Sequence, residues 1–112
     1  MRPLSDADYR ALARFRHALR TFQRFSEDAA RAADLTPAQH QLLLAIRGHD
    51  GPGAPSVTEV AERLQLKLHS AGELVNRAAA NGLVERWPDL FDARRALLGL
   101  TSRRQQVEVA HL

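Results

Sequence analysis

Two short amphipathic helices are predicted between residues 56 and 80 by the spacing of their apolar residues. In each, apolar side chains recur at offsets of three, four and seven residues, which places them on one face of a helix. The first set is Val57, Val60, Ala61 and Leu64, and the second is Ala71, Leu74, Val75 and Ala78. Residues 64–67 leave room only for a tight turn, so the pattern predicts a helix-turn-helix. The second helix of that motif has a shape that fits a DNA major groove.

Two strand-like runs follow the second helix. Residues 83–87 and 96–100 predict a β-hairpin in which Trp87 and Leu97 form a packed cross-strand pair. The connection, residues 88–95, is longer than most hairpin loops, and such loops are usually functional or disordered. A helix-turn-helix followed by a hairpin is a winged helix, so the predicted fold class is mainly α with a small β-hairpin.

Capping signals set the expected helix boundaries. Thr36 and Gln39 have the spacing of a capping box, with a proline between them in the first turn of a helix. Gly48 is expected to end that helix. The next helix is capped by either Ser56 or Thr58.

The helix after the predicted turn is expected to start at Ser70, because Ser70 and Glu73 also have capping-box spacing. Gly82 is expected to stop it, since glycine tolerates the left-handed conformation past a helix end.

A long helix is predicted over residues 5–33, which contain no proline or glycine. Apolar and small residues form a stripe along it at spacings of three and four. The stripe is Leu12, Phe15, Leu19, Phe22, Ser26, Ala29 and Ala33. One interpretation is that the whole stripe packs on the winged-helix core. The other is that Leu12, Phe15, Leu19 and Phe22 also pack against a second subunit, since the stripe is wider and more aromatic than one short core needs.

Composition narrows the possible functions. The 112 residues suffice for one domain, and the formal net charge of +3 suits a polyanionic partner. The absence of cysteine excludes disulfides and thiolate metal sites, and the five histidines lack the spacing of a metal site. The sequence predicts no cofactor.

Nucleophile elbows, phosphate loops and paired catalytic carboxylates are missing, so an enzyme is not expected. Because no signal peptide or membrane span is recognisable, we expect a cytoplasmic protein without membrane partners.

The second helix of the predicted motif offers polar side chains suited to DNA. Lysine and arginine suit guanine edges or phosphates, and asparagine suits adenine. The candidate DNA-binding residues are Lys67, His69, Ser70, Asn76 and Arg77. Glu73 is unfavourable there, because phosphate repels a carboxylate unless it accepts from a cytosine amino group. Gly72 costs the helix on the order of 1 kcal/mol relative to alanine.

Several segments together resemble the DNA-binding core of the MarR family of transcriptional regulators. These segments are SVTEVAERL, GLVER, the loop tetrapeptide DARR, the closing LGLT, and LTPAQ further upstream. The resemblance covers residues 35–101 and implies a homodimer that binds double-stranded DNA and joins through its terminal helices. It also implies a small aromatic or anionic effector between the first helix and the winged domain.

The resemblance assigns roles in the wing. Asp92 and Arg94 match the D-x-R pattern of the family, in which the aspartate braces an arginine that enters the minor groove. Arg95 is a second candidate for that contact. A guanidinium held by a carboxylate suits the negative potential of a narrow minor groove. The alternative is an ordinary ion pair on the surface of the loop.

We therefore expect three segments: a dimerisation helix over residues 1–34, a winged helix-turn-helix over 35–101, and a short helix over 102–112. The short final helix suggests that dimerisation is weaker than in the family or differs from it. Leu68, Gly72 and Glu73 depart from the family's usual recognition helix. They leave open an alternative function, a winged-helix protein-interaction module that has lost sequence-specific DNA binding.

Overall fold

Four helices and an antiparallel two-stranded sheet make up the part of the chain that the structure, a computed structural model, describes, residues 2–102. The elements are α1 (Asp6–Ala32), α2 (Pro37–Arg47), α3 (Val57–Leu64), α4 (Leu68–Ala80), β1 (Val84–Pro88) and β2 (Ala96–Leu100). This arrangement confirms the predicted mainly helical winged helix with a long first helix. The helix predicted over residues 102–112 lies outside the described residues apart from its first residue.

Capping boxes begin the helices that precede the turn. In α2 the Gln39 N–H donates to the Thr36 hydroxyl at 3.1 Å, and the Thr36 N–H donates to the Gln39 side chain at 3.2 Å. In α3 the cap is Ser56 rather than Thr58, and Glu59 completes its box. These short-range signals were predicted correctly because both partners lie within one helical turn.

Helix α4 begins at Leu68, two residues earlier than predicted. Its N-cap is Lys67, which makes no side-chain capping bond, and the expected box between Ser70 and Glu73 is therefore wrong. Instead, the carboxylate of Glu73 lies 3.2 Å from Nε2 of His69, one turn earlier on the same helix.

The tight turn before α4 explains this early start. Gln65 ends α3 in the left-handed conformation, with a φ of 55°. The Leu66 N–H then donates to the Ala61 carbonyl at 2.9 Å, which closes the end of α3. The chain re-enters helical geometry almost immediately, so the local signal at Ser70 falls inside the helix.

The core lies between the three shorter helices and the sheet. Its largest fully buried side chains are Leu42, Leu43, Val60, Val75 and Leu98. From α4 the core receives Ala71, Val75 and Ala78, which are three of the four residues in the predicted apolar set. Two of these three core-facing residues are alanines, so α4 packs closely against the core while its opposite face remains exposed to solvent.

The hairpin begins one residue later than predicted, at Val84, because the N–H of Leu83 is used to cap the C-terminal end of α4. Gly82 has a φ of 73°, and the Leu83 N–H donates to the Ala78 carbonyl at 2.9 Å. This is the left-handed helix stop that the sequence predicted at Gly82. Leu83 consequently lies in the core, where it is only 2% exposed.

Trp87 and Leu97 are cross-strand partners in the hairpin, as predicted. The indole of Trp87 lies over Gly99, where an added Cβ would come within 2.9 Å of the ring. A third segment joins the sheet edge, because the Leu98 N–H donates to the Pro55 carbonyl at 2.9 Å. The wing is thereby attached to the chain that leads into α3.

Most of α1 extends away from the core. Every residue from 9 to 25 is exposed, and only Ser26 and Ala30 of the helix are buried. Phe15 and Phe22 are 62% and 60% exposed. The interpretation that the whole stripe packs on the winged-helix core is therefore wrong, because only the end of α1 reaches that core. None of the described helices has the length and apolar content needed to cross a membrane.

Glu59 connects three parts of the fold. Its Oε1 accepts from the Ser56 N–H at 3.1 Å and from the Arg95 guanidinium at 3.0 Å, and its Oε2 lies 3.6 Å from Nε2 of His49. The backbone N–H of Ser56 is the main cause that holds the pKa of Glu59 below its ordinary 4.5. The Ser56 side chain and the nearby His49 and Arg95 also lower this pKa, and partial burial opposes them.

We expect Glu59→Gln to lower the free energy of unfolding at neutral pH by about 0.5 kcal/mol, because the exposed ion pair is screened by solvent. Glutamine keeps the capping acceptor, so the loss measures the charge. Since the folded-state pKa is the lower one, the stabilisation is present above pH 4.5 and is lost as pH falls through the folded value. Urea denaturation at pH 7 and about pH 3 measures this difference. Glu62→Gln on the same helix is the control, and equal losses in both variants at both pH values would contradict the assignment.

Candidate nucleic-acid interface

The outer face of α4 carries the polar residues that the sequence singled out. Burial of Ala71, Val75 and Ala78 turns the opposite side of the helix outward. All five predicted contact residues are exposed there or at the helix start. They are Lys67, His69, Ser70, Asn76 and Arg77. The structure thus brings the predicted major-groove residues together on one accessible surface, which we call the α4 face.

Glu73 lies on the same face, but it does not stand alone. Nε2 of His69 lies 3.2 Å from its carboxylate, and the two side chains are 87% and 57% exposed. Gly72 has no packing role, because no atom lies within 4 Å of the position that a Cβ would occupy. An alanine would therefore fit at this position.

Arg86 joins the α4 face from the wing, although the sequence analysis did not single it out as a site residue. Its guanidinium donates to Oδ1 of Asn76. Arg86 lies in β1 opposite Leu98. Its charge was visible in the sequence as part of a basic wing, but its position beside α4 depends on how the hairpin packs. This contact places a cation at the side of a predicted adenine-contacting residue.

Arg94 has the geometry that the D-x-R resemblance implies. Its Nε lies 3.3 Å from Oδ1 of Asp92, and the same oxygen accepts from the Arg94 N–H at 3.1 Å. The Arg94 side chain is 92% exposed, whereas that of Asp92 is 37% exposed. The aspartate therefore holds both the backbone and the side chain of an arginine that extends into solvent.

Arg95, the adjacent residue, is directed differently. Its guanidinium donates to Glu59 on α3 at 3.0 Å and lies 3.5 Å from the carboxylate of Asp89. Its side chain is half-buried, at 46% exposure. The two neighbouring arginines thus have different environments, because one extends outward and the other ties the wing to α3.

A groove of about 430 Å³ separates α1 from α2, at the place where the family resemblance implies an effector. Its apolar side chains include Leu19 and Phe22. Its polar groups include Ser26 and Gln41, which bond to each other at 3.0 Å. Within residues 2–102, no group of three or more histidine, aspartate and glutamate side chains is arranged to hold a metal ion.

Solved structures show the same fold. Wild-type MarR from E. coli in its apo form is 25% identical, with a TM-score of 0.73, and the match covers 89% of this chain and 72% of that one. A MarR mutant from E. coli complexed with operator DNA is 24% identical, with a TM-score of 0.72 and coverages of 90% and 71%. S. aureus MepR in its DNA-binding conformation is 22% identical, with a TM-score of 0.77 and coverages of 91% and 72%.

A family profile agrees with these structures. The profile described as the MarR family matches residues 33–95, which is more than half of the chain. A search of curated proteins found no match. The matched range runs from the residue directly after α1 through the helix-turn-helix to Arg95 in the wing. The chain therefore belongs to the MarR family of winged helix-turn-helix transcriptional regulators.

Proposed function

We propose that the chain binds duplex DNA as a homodimer, with α4 in the major groove and Arg94 of the wing in the adjacent minor groove. The observation that carries this proposal is the exposed α4 face beside an arginine braced by Asp92. A related protein, the MarR mutant from E. coli, was solved in complex with operator DNA, which supports the same use of this fold. The family comprises regulators rather than enzymes, which confirms the prediction that the chain is not an enzyme.

Lys67 and Arg77 are suited to guanine edges or phosphates, and Asn76 to an adenine edge. His69 and Ser70 lie in the first turn of α4, where no side-chain cap occupies the backbone N–H groups. Such a helix start favours a DNA phosphate. The guanidinium of Arg86 donates a hydrogen bond to Asn76, so we add Arg86 to the proposed interface. It either orients the Asn76 amide or leaves that amide to bind a DNA phosphate.

In the wing we assign different roles to the two arginines. Arg94 is the groove-contacting side chain, because it is highly exposed and already oriented by Asp92. A planar guanidinium fits a narrow minor groove, whose negative potential is enhanced. Arg95 supports this contact indirectly, because its hydrogen bond to Glu59 fixes the wing against α3. Any contact that Arg95 makes with DNA is then secondary.

Dimerisation is proposed to use residues 1–34, which include α1, while residues 35–101 contact DNA. The supporting observation is that Leu12 and Leu19 are 47% and 45% exposed, and Phe15 and Phe22 more so. A contiguous apolar stripe of this size in water is typical of a protein interface. Pairing two copies would also give two α4 helices, as a two-fold symmetric operator requires.

The groove between α1 and α2 is the proposed effector site. Its lining includes Glu27 and apolar side chains but no lysine or arginine. This lining favours an uncharged aromatic effector over an anionic one. Leu19 and Phe22 belong to both the groove and the α1 stripe, so effector binding and dimerisation share side chains.

The alternative function is a protein-interaction module that does not recognise a DNA sequence. Leu68, at the start of α4, is 57% exposed, which favours a protein contact more than a DNA contact. The DNA-binding measurement below separates the two functions.

We expect fluorescence anisotropy to show a preference of about 10³-fold for the duplex upstream of the protein's own gene over a scrambled duplex. Arg94→Ala should weaken binding to the upstream duplex by about 5- to 100-fold, because a braced minor-groove contact is lost. Arg10→Ala, which removes an exposed arginine from α1, is the matched control. Equal, weak binding to both duplexes would indicate a nonspecific binder, and no binding at low salt would favour the interaction module.

We expect Phe15→Glu to convert a dimer into a monomer in sedimentation experiments at micromolar concentration, because it buries a charge in the α1 interface. Thermal unfolding of the winged domain should change little, since Phe15 is 62% exposed in the single chain. Thr21→Glu places the same charge on the other side of α1 and should remain dimeric. A wild-type protein that is monomeric at this concentration would refute the proposed dimer.

For the effector groove, we expect ligand-detected NMR to show saturation transfer to indole and much less to benzoate, because the lining carries no positive charge. Ala38→Trp should abolish the indole signal by filling the groove, whereas Ala80→Trp on α4 should not. Undiminished transfer in the Ala38→Trp protein would place aromatic binding elsewhere.

A further inference from the structure

The tip of the wing presents two apolar side chains almost completely to solvent. Leu90 is 93% exposed and Phe91 is 97% exposed. The other exposed large apolar side chains among the described residues range from 39% to 62%. Full exposure of a phenylalanine and a leucine side by side is unfavourable in water. We therefore expect these two side chains to contact a binding partner.

Hydrogen bonds within the loop fix the backbone that carries these two residues. The Phe91 N–H donates to Oδ1 of Asp89 at 2.9 Å, and the Arg94 N–H donates to Oδ1 of Asp92 at 3.1 Å. Across the base of the loop, the Asp89 N–H donates to the Arg95 carbonyl at 3.0 Å. Side chains of aspartate thus close two successive turns, a common use of that residue. The tip is a closed, anchored structure that keeps its apolar residues outside.

The charges around the tip indicate what it contacts. Arg94, three residues after Phe91, is 92% exposed and lies on the same loop. An apolar tip next to a braced cation matches a DNA minor groove, which has phosphates along its walls and stacked bases at its floor. Two side chains make too small an apolar surface for a stable protein interface by themselves. Phenylalanine and leucine are among the side chains that minor-groove proteins insert between base pairs.

We propose that Phe91, assisted by Leu90, is a wedge that enters the minor groove beside Arg94 and partly unstacks one base step. This proposal rests on the proposed function, because the wing must first reach the minor groove. The wedge adds a source of specificity that needs no hydrogen bond to a base. Pyrimidine–purine steps such as TA unstack most easily, so the wing favours such a step beneath its tip.

The test uses permanganate, which oxidises thymines that have lost their stacking. The upstream duplex is probed alone and with saturating wild-type protein, Phe91→Ala, Phe91→Leu or Leu90→Ala. We expect a thymine in the contacted minor groove to become reactive with wild type, to remain as in free DNA with Phe91→Ala, and to react partly with Phe91→Leu. Because Phe91 is 97% exposed, Phe91→Ala should fold normally, and circular dichroism checks this.

Affinity and its salt dependence separate the wedge from the cation. Phe91→Ala should weaken binding by about tenfold through lost stacking on a base. The slope of log affinity against log salt should not change, because no phosphate contact is removed. Arg94→Ala, if its guanidinium replaces a counterion, should instead reduce that slope by about one.

Three results would overturn the wedge. Equal thymine reactivity with wild type and Phe91→Ala would show that Phe91 does not cause the unstacking. Specific binding by wild type without any reactive thymine, in a set of duplexes that together place a TA step at each position of the wing footprint, would refute the wedge while the proposed function stands. Failure of wild type to bind either duplex would refute the proposed function, and the wedge with it.

Discussion

A joint at Ser56 connects the wing to α3 and, through α3, to the turn that leads into α4. Ser56 is 2% exposed, caps α3 through the Glu59 N–H at 3.1 Å, and forms a bridge with Leu97 of β2. The Glu59 side chain then binds Arg95 of the wing loop. Because α3 also leads through the turn into α4, this joint fixes the wing relative to α4 together with the contact between Arg86 of the wing and Asn76 of α4. The proposed contact of α4 and the wing with neighbouring grooves of a duplex requires such a fixed relation.

The packing of α4 explains why its chemistry is accessible. Ala71 and Ala78 allow close contact with the core, and Val75 fills the space between them. The opposite side is left to polar groups, and these do not act separately: His69 lies beside Glu73, and Arg86 reaches across from the wing to Asn76. Of the three residues that depart from the family's usual recognition helix, Glu73 is thus contacted by a neighbouring side chain. The proposed interface thus combines side chains suited to base edges with side chains suited to phosphates.

The first helix has a different relation to the core. Its last turns are buried at Ser26 and Ala30, while the aromatic residues before them extend into solvent. An isolated chain would expose this stripe at a considerable free-energy cost. The proposed homodimer removes that cost and provides a second recognition helix. The groove shares Leu19 and Phe22 with the proposed dimer surface. A ligand in this groove would therefore be placed to alter the spacing of the two winged domains in the proposed homodimer.

Features that depend on neighbours within one turn were determined by the sequence alone. The capping box of Thr36 and Gln39, the helix stop at Gly82 and the apolar period of α4 are of this kind. Resemblance over residues 35–101 added the family. Only the tertiary structure decided that α4 begins at Leu68. The left-handed turn at Gln65 starts the helix before the capping box predicted at Ser70 can form. Only the tertiary structure showed that the side chains of Arg94 and Arg95 have different environments, because Glu59, the partner of Arg95, is 36 residues away in the sequence. Spacing along a chain specifies partners in the same helix, whereas contacts between distant segments depend on how those segments pack.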